Sequence, residues 1–227
     1  MYLIIAATYK EIEPLCKKLG VDNEIPVGTL QISTFMSYEV GILIAGIGIY
    51  SSTINIYKTI LDNNIEACIQ AGICGRYSNN FENGDVVNVV SDCFGDLGSD
   101  SPDGFIPAHE IGLNDIPGVV NGKITLEHKI AAKAVERLPK VKGCTIQMTS
   151  GTVEGIKRLR LAWQADIESM EGAVFMQLFS MHKIPAIQLR GISNLIEPRN
   201  KSGWKIELAI EKLNNKLIEL VEEITAK

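Results

Sequence analysis

The stretch Val40-Gly41-Ile42-Leu43-Ile44-Ala45-Gly46-Ile47-Gly48 runs from an apolar, β-branched segment straight into two closely spaced glycines. The apolar segment reads as a strand and the glycines as a tight strand-to-helix turn. Residues 51–61, with apolar side chains three and four apart, read as the helix that follows. The pair Gly46-x-Gly48 is half of a dinucleotide fingerprint, but Ser51 stands where the third glycine belongs, so no NAD site is expected.

The same rhythm extends in both directions. Apolar runs at 3–7, 30–35, 67–71, 86–90, 145–148 and 187–192 read as further strands, and 11–19, 126–137, 172–181 and 202–224 as helices. Alternating β and α segments of this kind imply an α/β sheet sandwiched by helices, and 227 residues suit one domain spanning 1–227. One segment breaks the pattern: Phe94-Gly95-Asp96-Leu97-Gly98-Ser99-Asp100-Ser101-Pro102-Asp103-Gly104-Phe105 and onward to Gly122 is rich in Gly, Asp and Pro. Long loops in compact domains often cover sites, and a surface insertion is the alternative. Phe105 and Ile106 favour a loop that packs on something.

Twenty-two Lys and Arg against 27 Asp and Glu, scattered along the chain, give a net charge of −5 and no basic stripe, so nucleic acid is not an expected partner. The apolar start lacks the basic flank of a signal peptide, and no run approaches the roughly 20 apolar residues of a membrane span. A cytoplasmic protein without a membrane partner is therefore expected. Five cysteines, an odd number without a C-x-x-C pair, read as buried reduced thiols. Three histidines without ligand spacing give no reason to expect a metal.

Four places put glycine or an ionisable residue at a strand end, where open α/β sheets hold ligands. Glu11 follows the first strand and opens a helix, as a candidate base or as an ordinary first-turn acid. Gly46-x-Gly48 is the second place. Gly72-Ile73-Cys74-Gly75-Arg76 is the third, where glycine lets backbone N–H groups approach a ligand and Arg76 could attract an anion. Glu168-Ser169-Met170-Glu171-Gly172 and Arg190-Gly191-Ile192-Ser193-Asn194 together form the fourth. There a carboxylate such as Glu171 could accept two sugar hydroxyls, with capping and turn formation as the plainer roles for Glu171 and Asn194.

In their order, Glu11, Gly46-x-Gly48, Ala71-Gly72-x-x-Gly75, Met170-Glu171-Gly172 and Arg190-x-x-Ser193-Asn194 resemble the nucleoside phosphorylase and nucleosidase family that includes methylthioadenosine/S-adenosylhomocysteine nucleosidase. Glu168 to Ala173, Arg190 to Asn194 with Glu197-Pro198-Arg199-Asn200, and Asp96-Leu97-Gly98 look most like its futalosine hydrolase branch. The resemblance implies a three-layer sandwich around a central mixed, barrel-like sheet flanked by helices. It further implies a cofactor-free hydrolase, a homo-oligomer of two or more chains, a small purine nucleoside as ligand, and a place in menaquinone biosynthesis.

Carried over by the resemblance, Glu11 activates the attacking water and Arg190 lies near that water. Met170 and Glu171 contact the ribose, Asn194 meets the leaving base, and Gly72 and Ile73 border the substrate. Ser150 to Glu154, with Val153, line the purine, although the stacking aromatic of the family is absent there. Gln70 and Ile73 stand where the family's phosphorylases carry an arginine and a serine for phosphate, which favours water as nucleophile. Asn194 stands where adenine-specific members have an aspartate. An amide can donate to O6 and accept from a protonated N7, which implies a 6-oxopurine such as hypoxanthine. For the benzoate arm of futalosine, Arg199 or Lys201 is the expected contact. A methylthioadenosine nucleosidase, a 6-oxopurine nucleoside phosphorylase and a nucleoside-binding protein without turnover are the alternatives.

Overall fold

Along the first strand, β1 (Tyr2–Ala6), Leu3 and Ile5 join one hydrophobic core while Ile4 and Ala6 join another. A strand buried on both faces belongs in the middle of a layered sheet. The computed structural model of the chain describes residues 1–102, 104–113, 115–198 and 200–226. After β1 come α1 (Tyr9–Lys18), β2 (Leu30–Phe35), β3 (Tyr38–Ile44), α2 (Gly48–Asp62), β4 (Ala67–Arg76) and β5 (Val86–Asp92). A small hairpin, β6 (Gly98–Ser101) and β7 (Gly104–Pro107), precedes β8 (Ile124–Thr125), α3 (Lys133–Glu136) and β9 (Lys140–Thr145). The chain ends with α4 (Val153–Trp163), β10 (Ile167–Ser169), α5 (Gly172–Met181), β11 (Ala186–Leu195) and α6 (Ile206–Thr225).

Five strands close into a ring. β4 pairs in parallel with β11, β11 antiparallel with β5, β5 in parallel with β9, β9 in parallel with β10, and β10 returns antiparallel to β4. From β4 the sheet continues outward through β1, β3 and β2. On one side, Ile56 and Ile60 of α2 and Phe175 and Phe179 of α5 fill the core; on the other, Ile12 and Leu15 of α1 and Leu213, Leu217 and Leu220 of α6 do so. Leu159 and Trp163 of α4 cap the ring at a third cluster. The expected three-layer α/β architecture with a mixed, barrel-like sheet is the one observed.

The turn at the head of α2 needs its glycines. Gly46 and Gly48 sit at φ 84° and 82°, where side chains are strained, and a Cβ on Gly46 would lie 2.0 Å from Ser51 Oγ.

Three expectations need correction. The helix expected over 126–137 is reduced to Lys133–Glu136, because its apolar residues serve different cores: Leu126 packs with α5, Ala132 and Val135 with α6. Between them the chain bends at Glu127 and His128 and bridges to Ala186 at Lys129, and the His128 carbonyl accepts from Ala186 N at 3.0 Å. The strand expected at 145–148 lies earlier, at Lys140–Thr145, where exposed Lys140 and Lys142 alternate with buried Val141 and Gly143 and dilute the apolar signal. Helix α4 was not expected. Its marks were an N-cap at Thr152, whose Oγ1 accepts from Gly155 N at 3.1 Å, and Ile156, Leu159 and Trp163 at helical spacing.

The Gly- and Asp-rich segment after β5 is ordered around the β6–β7 hairpin; Asp103 lies outside the described residues. Phe105 does pack, beneath the Arg158 guanidinium at 5.6 Å, and Trp163 Nε1 donates to Gly95 O at 2.9 Å.

Candidate active site

The ends of β1, β4, β10 and β11 border a cavity of about 720 Å³ whose wall includes Glu11, Ile73, Gly75, Glu168, Met170, Glu171 and Asn194. Two buried carboxylates of its wall, Glu11 and Glu171, meet the guanidinium of Arg190, which is buried behind the wall and does not border the cavity.

Glu11 sits in the first turn of α1. Its Oε2 accepts from Thr8 N at 2.9 Å and Thr8 Oγ1 at 3.0 Å, and its Oε1 accepts from Ile73 N at 3.0 Å. The helix-start role and the site role therefore coincide: the bonds that cap α1 also aim the carboxylate at β4.

Glu171 is the residue from which α5 starts. Its Oε1 accepts from Gly48 N at 2.9 Å, so the first amide of α2 holds it, as helix N-termini hold anions, while the next amide, Ile49 N, donates to Gln147 Oε1 at 2.8 Å. Burial pushes its pKa up, and Arg190 and the Gly48 amide oppose that rise while Glu11 adds to it. The Gly46-x-Gly48 turn thus serves a carboxylate of the protein itself.

Arg190, on β11, is 1% exposed. Nη1 lies 3.9 Å from Glu171 Oε2, Nε donates to Gln188 Oε1 at 3.1 Å, and Nη2 has no partner among the described residues. The guanidinium passes over Gly72, where a Cβ would meet Nη1 at 2.3 Å and Glu11 Oε1 at 3.0 Å. Gly72 is needed there for space, so that both charged groups can meet above the strand.

Behind Arg190 lies a polar layer that strand patterning does not reveal. Gln188 Nε2 reaches Asp92 Oδ2 at 3.4 Å, and Asp92 Oδ1 accepts from Cys93 N at 2.8 Å and Thr145 Oγ1 at 3.0 Å. Thr145 Oγ1 in turn accepts from Ala173 N at 2.8 Å, which fixes the start of α5 and hence Glu171.

Asn194 borders the same cavity. Ser193 Oγ donates to its Oδ1 at 2.7 Å, and its Nδ2 donates to Leu195 O at 3.0 Å. An amide has two lone pairs and two N–H groups, so one acceptor and one donor remain for a ligand.

Other expected site residues lie elsewhere. Val153 is 60% exposed at the start of α4 and faces a separate groove with Tyr77 and Lys157; of the lining assigned to 150–154 only Ser150 borders the cavity, joined by Thr149. Arg76 turns back on its own loop, donating to Ser78 O and Asn79 Oδ1, both at 2.7 Å, and is not among the cavity residues. Arg199 lies outside the described residues, and Lys201 does not border the cavity. The described residues of the segment after β5 border grooves near α2 and α4, and none of them lines this cavity.

Lys10, Pro14, Trp204, Ile206 and Ile210 form the outer wall, which the motifs did not announce. No group of three or more His, Cys, Asp and Glu side chains is arranged for a metal ion among the described residues.

Known proteins are similar to this chain in sequence and in fold. Futalosine hydrolase of Streptomyces coelicolor is 26% identical over 149 residues, 65% of this chain and 61% of that enzyme. A 5'-methylthioadenosine/S-adenosylhomocysteine nucleosidase of Desulfotalea psychrophila is 25% identical over 97% of both chains. The structure of futalosine hydrolase from Helicobacter pylori superposes with a TM-score of 0.82 at 20% identity over 97% of each chain, which shows a common fold. The family described as the phosphorylase superfamily matches residues 2–226, and the chain belongs to it.

Proposed function

We propose that the chain is a purine nucleosidase that hydrolyses the N-ribosidic bond of futalosine, releasing hypoxanthine and dehypoxanthine futalosine in menaquinone biosynthesis. The observation that carries this reading is the convergence of Glu11, Arg190 and Glu171 above Gly72, with Asn194 on the same cavity. The similarity to futalosine hydrolases and to a methylthioadenosine nucleosidase supports the reaction class.

Breaking an N-ribosidic bond builds oxocarbenium character on the sugar. Glu171, ionised beside Arg190 and the Gly48 amide, accepts the ribose hydroxyls and stabilises that charge. Glu11 keeps one acceptor site on Oε1 beyond its bond from Ile73 N, and with it takes the proton of the attacking water. Arg190, buried 3.9 Å from Glu171, supplies the counter-charge that holds this pair of carboxylates ionised. Asn194 meets O6 and N7 of the departing hypoxanthine.

Water is favoured over phosphate because Ile73 offers no hydroxyl and Arg76, which could have held an oxyanion, is engaged with its own loop. The reading includes association with a second copy and residence in the reducing cytoplasm. All five cysteines are buried and unpaired, and no described helix is long and apolar enough to cross a membrane.

The test is base release from futalosine, aminofutalosine, inosine and methylthioadenosine, each with and without phosphate. Hypoxanthine from futalosine without phosphate is expected. Adenine release would replace the 6-oxopurine reading with a methylthioadenosine nucleosidase, and strict phosphate dependence would make the chain a phosphorylase. Glu11→Gln should lower turnover about 10²-fold; turnover equal to wild type would remove Glu11 from the mechanism.

A further inference from the structure

Asp92, buried at the end of β5 behind the cavity wall, is linked through one intermediary each to Glu171 and to Arg190. Its two oxygens have separate duties. Oδ1 accepts from Cys93 N and from Thr145 Oγ1. With its one hydrogen committed to Asp92, the Thr145 hydroxyl turns a lone pair to Ala173 N in the first turn of α5, two residues from Glu171. Oδ2 faces Gln188 Nε2 at 3.4 Å, and the Gly172 carbonyl stands 3.4 Å from the same nitrogen. The amide of Gln188 therefore has two acceptors on its nitrogen side, which leaves Oε1 to accept from Arg190 Nε at 3.1 Å.

The orientation of that amide depends on Oδ2 being an acceptor. With a hydrogen on Oδ2, a donor faces the Nε2 donor. Turning the amide over relieves that clash but sets Nε2 against Arg190 Nε and Oε1 against the Gly172 carbonyl. Gln188 is fully buried, so water cannot make good the lost bond. Arg190 then loses the partner of its Nε, and with it the placement from which it opposes the rise that burial imposes on the pKa of Glu171.

We propose that Asp92 is a positioning residue which, as an ionised acceptor, aims Arg190 through Gln188 and sets Glu171 through Thr145. The inference rests on the roles given to Glu171 and Arg190 under the proposed function. It accounts for a carboxylate at a depth where ionisation costs desolvation. An asparagine would serve Cys93 N and Thr145 equally well, but only an acceptor-only group suits Gln188 Nε2. The charged and titratable groups around it are Arg190 on β11, Glu171 at the head of α5, Lys123 just before β8, and the thiols of Cys93 and of Cys144 on β9. Burial lifts the Asp92 pKa to about 6, so the relay to Arg190 is intact on the alkaline side and is lost as pH falls through that value.

The experiment applies two readouts to the full chain, as wild type and as Asp92→Asn. In the first, isotope-labelled arginine reports the Nε–H resonance of Arg190, assigned by its absence in Arg190→Lys, from about pH 8 down to about pH 4.5. Wild type should show a transition near pH 6 and Asp92→Asn none. The second is kcat/KM for futalosine over the same range. Asp92→Asn should be about 10- to 100-fold slower than wild type at the alkaline end and approach it at the acid end. Glu11 and Glu171 are present in both proteins, so the ratio isolates Asp92. For the other arm, Thr145→Val should lower turnover about tenfold and Thr145→Ser, which keeps the hydroxyl, should restore it.

A rate ratio that stays constant with pH would overturn the proposal, because a residue that only fills space acts alike at every pH. An Arg190 resonance without a transition in wild type would overturn it too, and that measurement needs no variant of Asp92 to fold. Thr145→Ser no better than Thr145→Val would remove the Glu171 arm. A wild-type resonance that titrates as expected in a chain that releases base from no nucleoside would leave the relay standing and overturn the hydrolase.

Discussion

Gly72, expected to border the substrate, lies like Asp92 outside the cavity wall, and both show how much of this site depends on residues behind it. A methyl group at Gly72 would press on Arg190 Nη1 at 2.3 Å, and a guanidinium that is 1% exposed has nowhere to retreat. Gly72→Ala should therefore leave the fold intact and cut turnover by about 10²-fold, through a displacement of the order of 1 Å; unchanged kinetics would show that the guanidinium gives way freely. Asp92 is packed against Gly143 and Gly172, where a Cβ would approach its carboxylate to 2.5 and 2.2 Å. Burial pushes its pKa from 3.8 up to about 6, against the lowering influence of Cys93, Thr145, Arg190 and Gln188.

Below pH about 4, Asp92 is protonated in folded and unfolded chains alike; between about 4 and 6 the folded chain keeps a proton that the unfolded chain has released. Its favourable contribution is thus complete at the acid end and lost as pH rises through 6. In urea unfolding, wild type should lose on the order of 3 kcal/mol relative to Asp92→Asn across that window. Parallel stability curves for the two proteins would rule out Asp92 as the titrating group. At this scale the sequence was legible where chemistry stands at a strand end: Glu11, Glu171 and Asn194 border the cavity, and Arg190 lies buried beside Glu171. Asp92, Gln188 and Glu168 lie within or beside strands, where a polar letter looks like an outward-facing residue, and only the closed ring turns them inward.

Among the elements, α2 is buried on one face through Ser52, Ile56, Thr59 and Ile60, yet leaves Ile54, Tyr57 and Leu61 exposed, together with Ile47 and Tyr50 at its head. Those five follow at alternating steps of three and four, the spacing of a helix seam. Beside them runs a groove lined by Tyr50, Phe94, Leu97 and Leu113. We propose that this stripe contacts a second copy of the chain, since contiguous exposed apolar side chains mark interaction surfaces. Ile54→Glu should convert a dimer into monomers in light scattering behind gel filtration; wild type running as a monomer at micromolar concentration would discard the stripe as an interface. Both faces of α2 are apolar in sequence, so periodicity alone could not say which one faces outward. The mistaken helix over 126–137 has the same origin: its apolar letters are real, but packing sends them to two cores.

For the molecule as a whole, the ring of five strands is the decisive feature, and the order in which its members occur along the chain has a consequence for synthesis. β4 ends at Arg76 and its longest partner, β11, begins at Ala186. At about 5–20 residues per second, a ribosome needs roughly 6 to 22 seconds to make the intervening segment, and for that time an apolar strand with an open edge waits on the nascent chain. Glu11 and Gly72 are made early, Glu171, Arg190 and Asn194 late, so the residues proposed to carry the reaction come together only when the last strand docks. Ribosome-bound chains that expose residues only up to β10 should be cut rapidly by protease, and chains that also expose β11 and α6 should resist; equal resistance in both would mean that the first half folds on its own. An enzyme built in this way cannot be active in an incomplete form, and its earliest vulnerability is the interval in which β4 is available to the wrong partner.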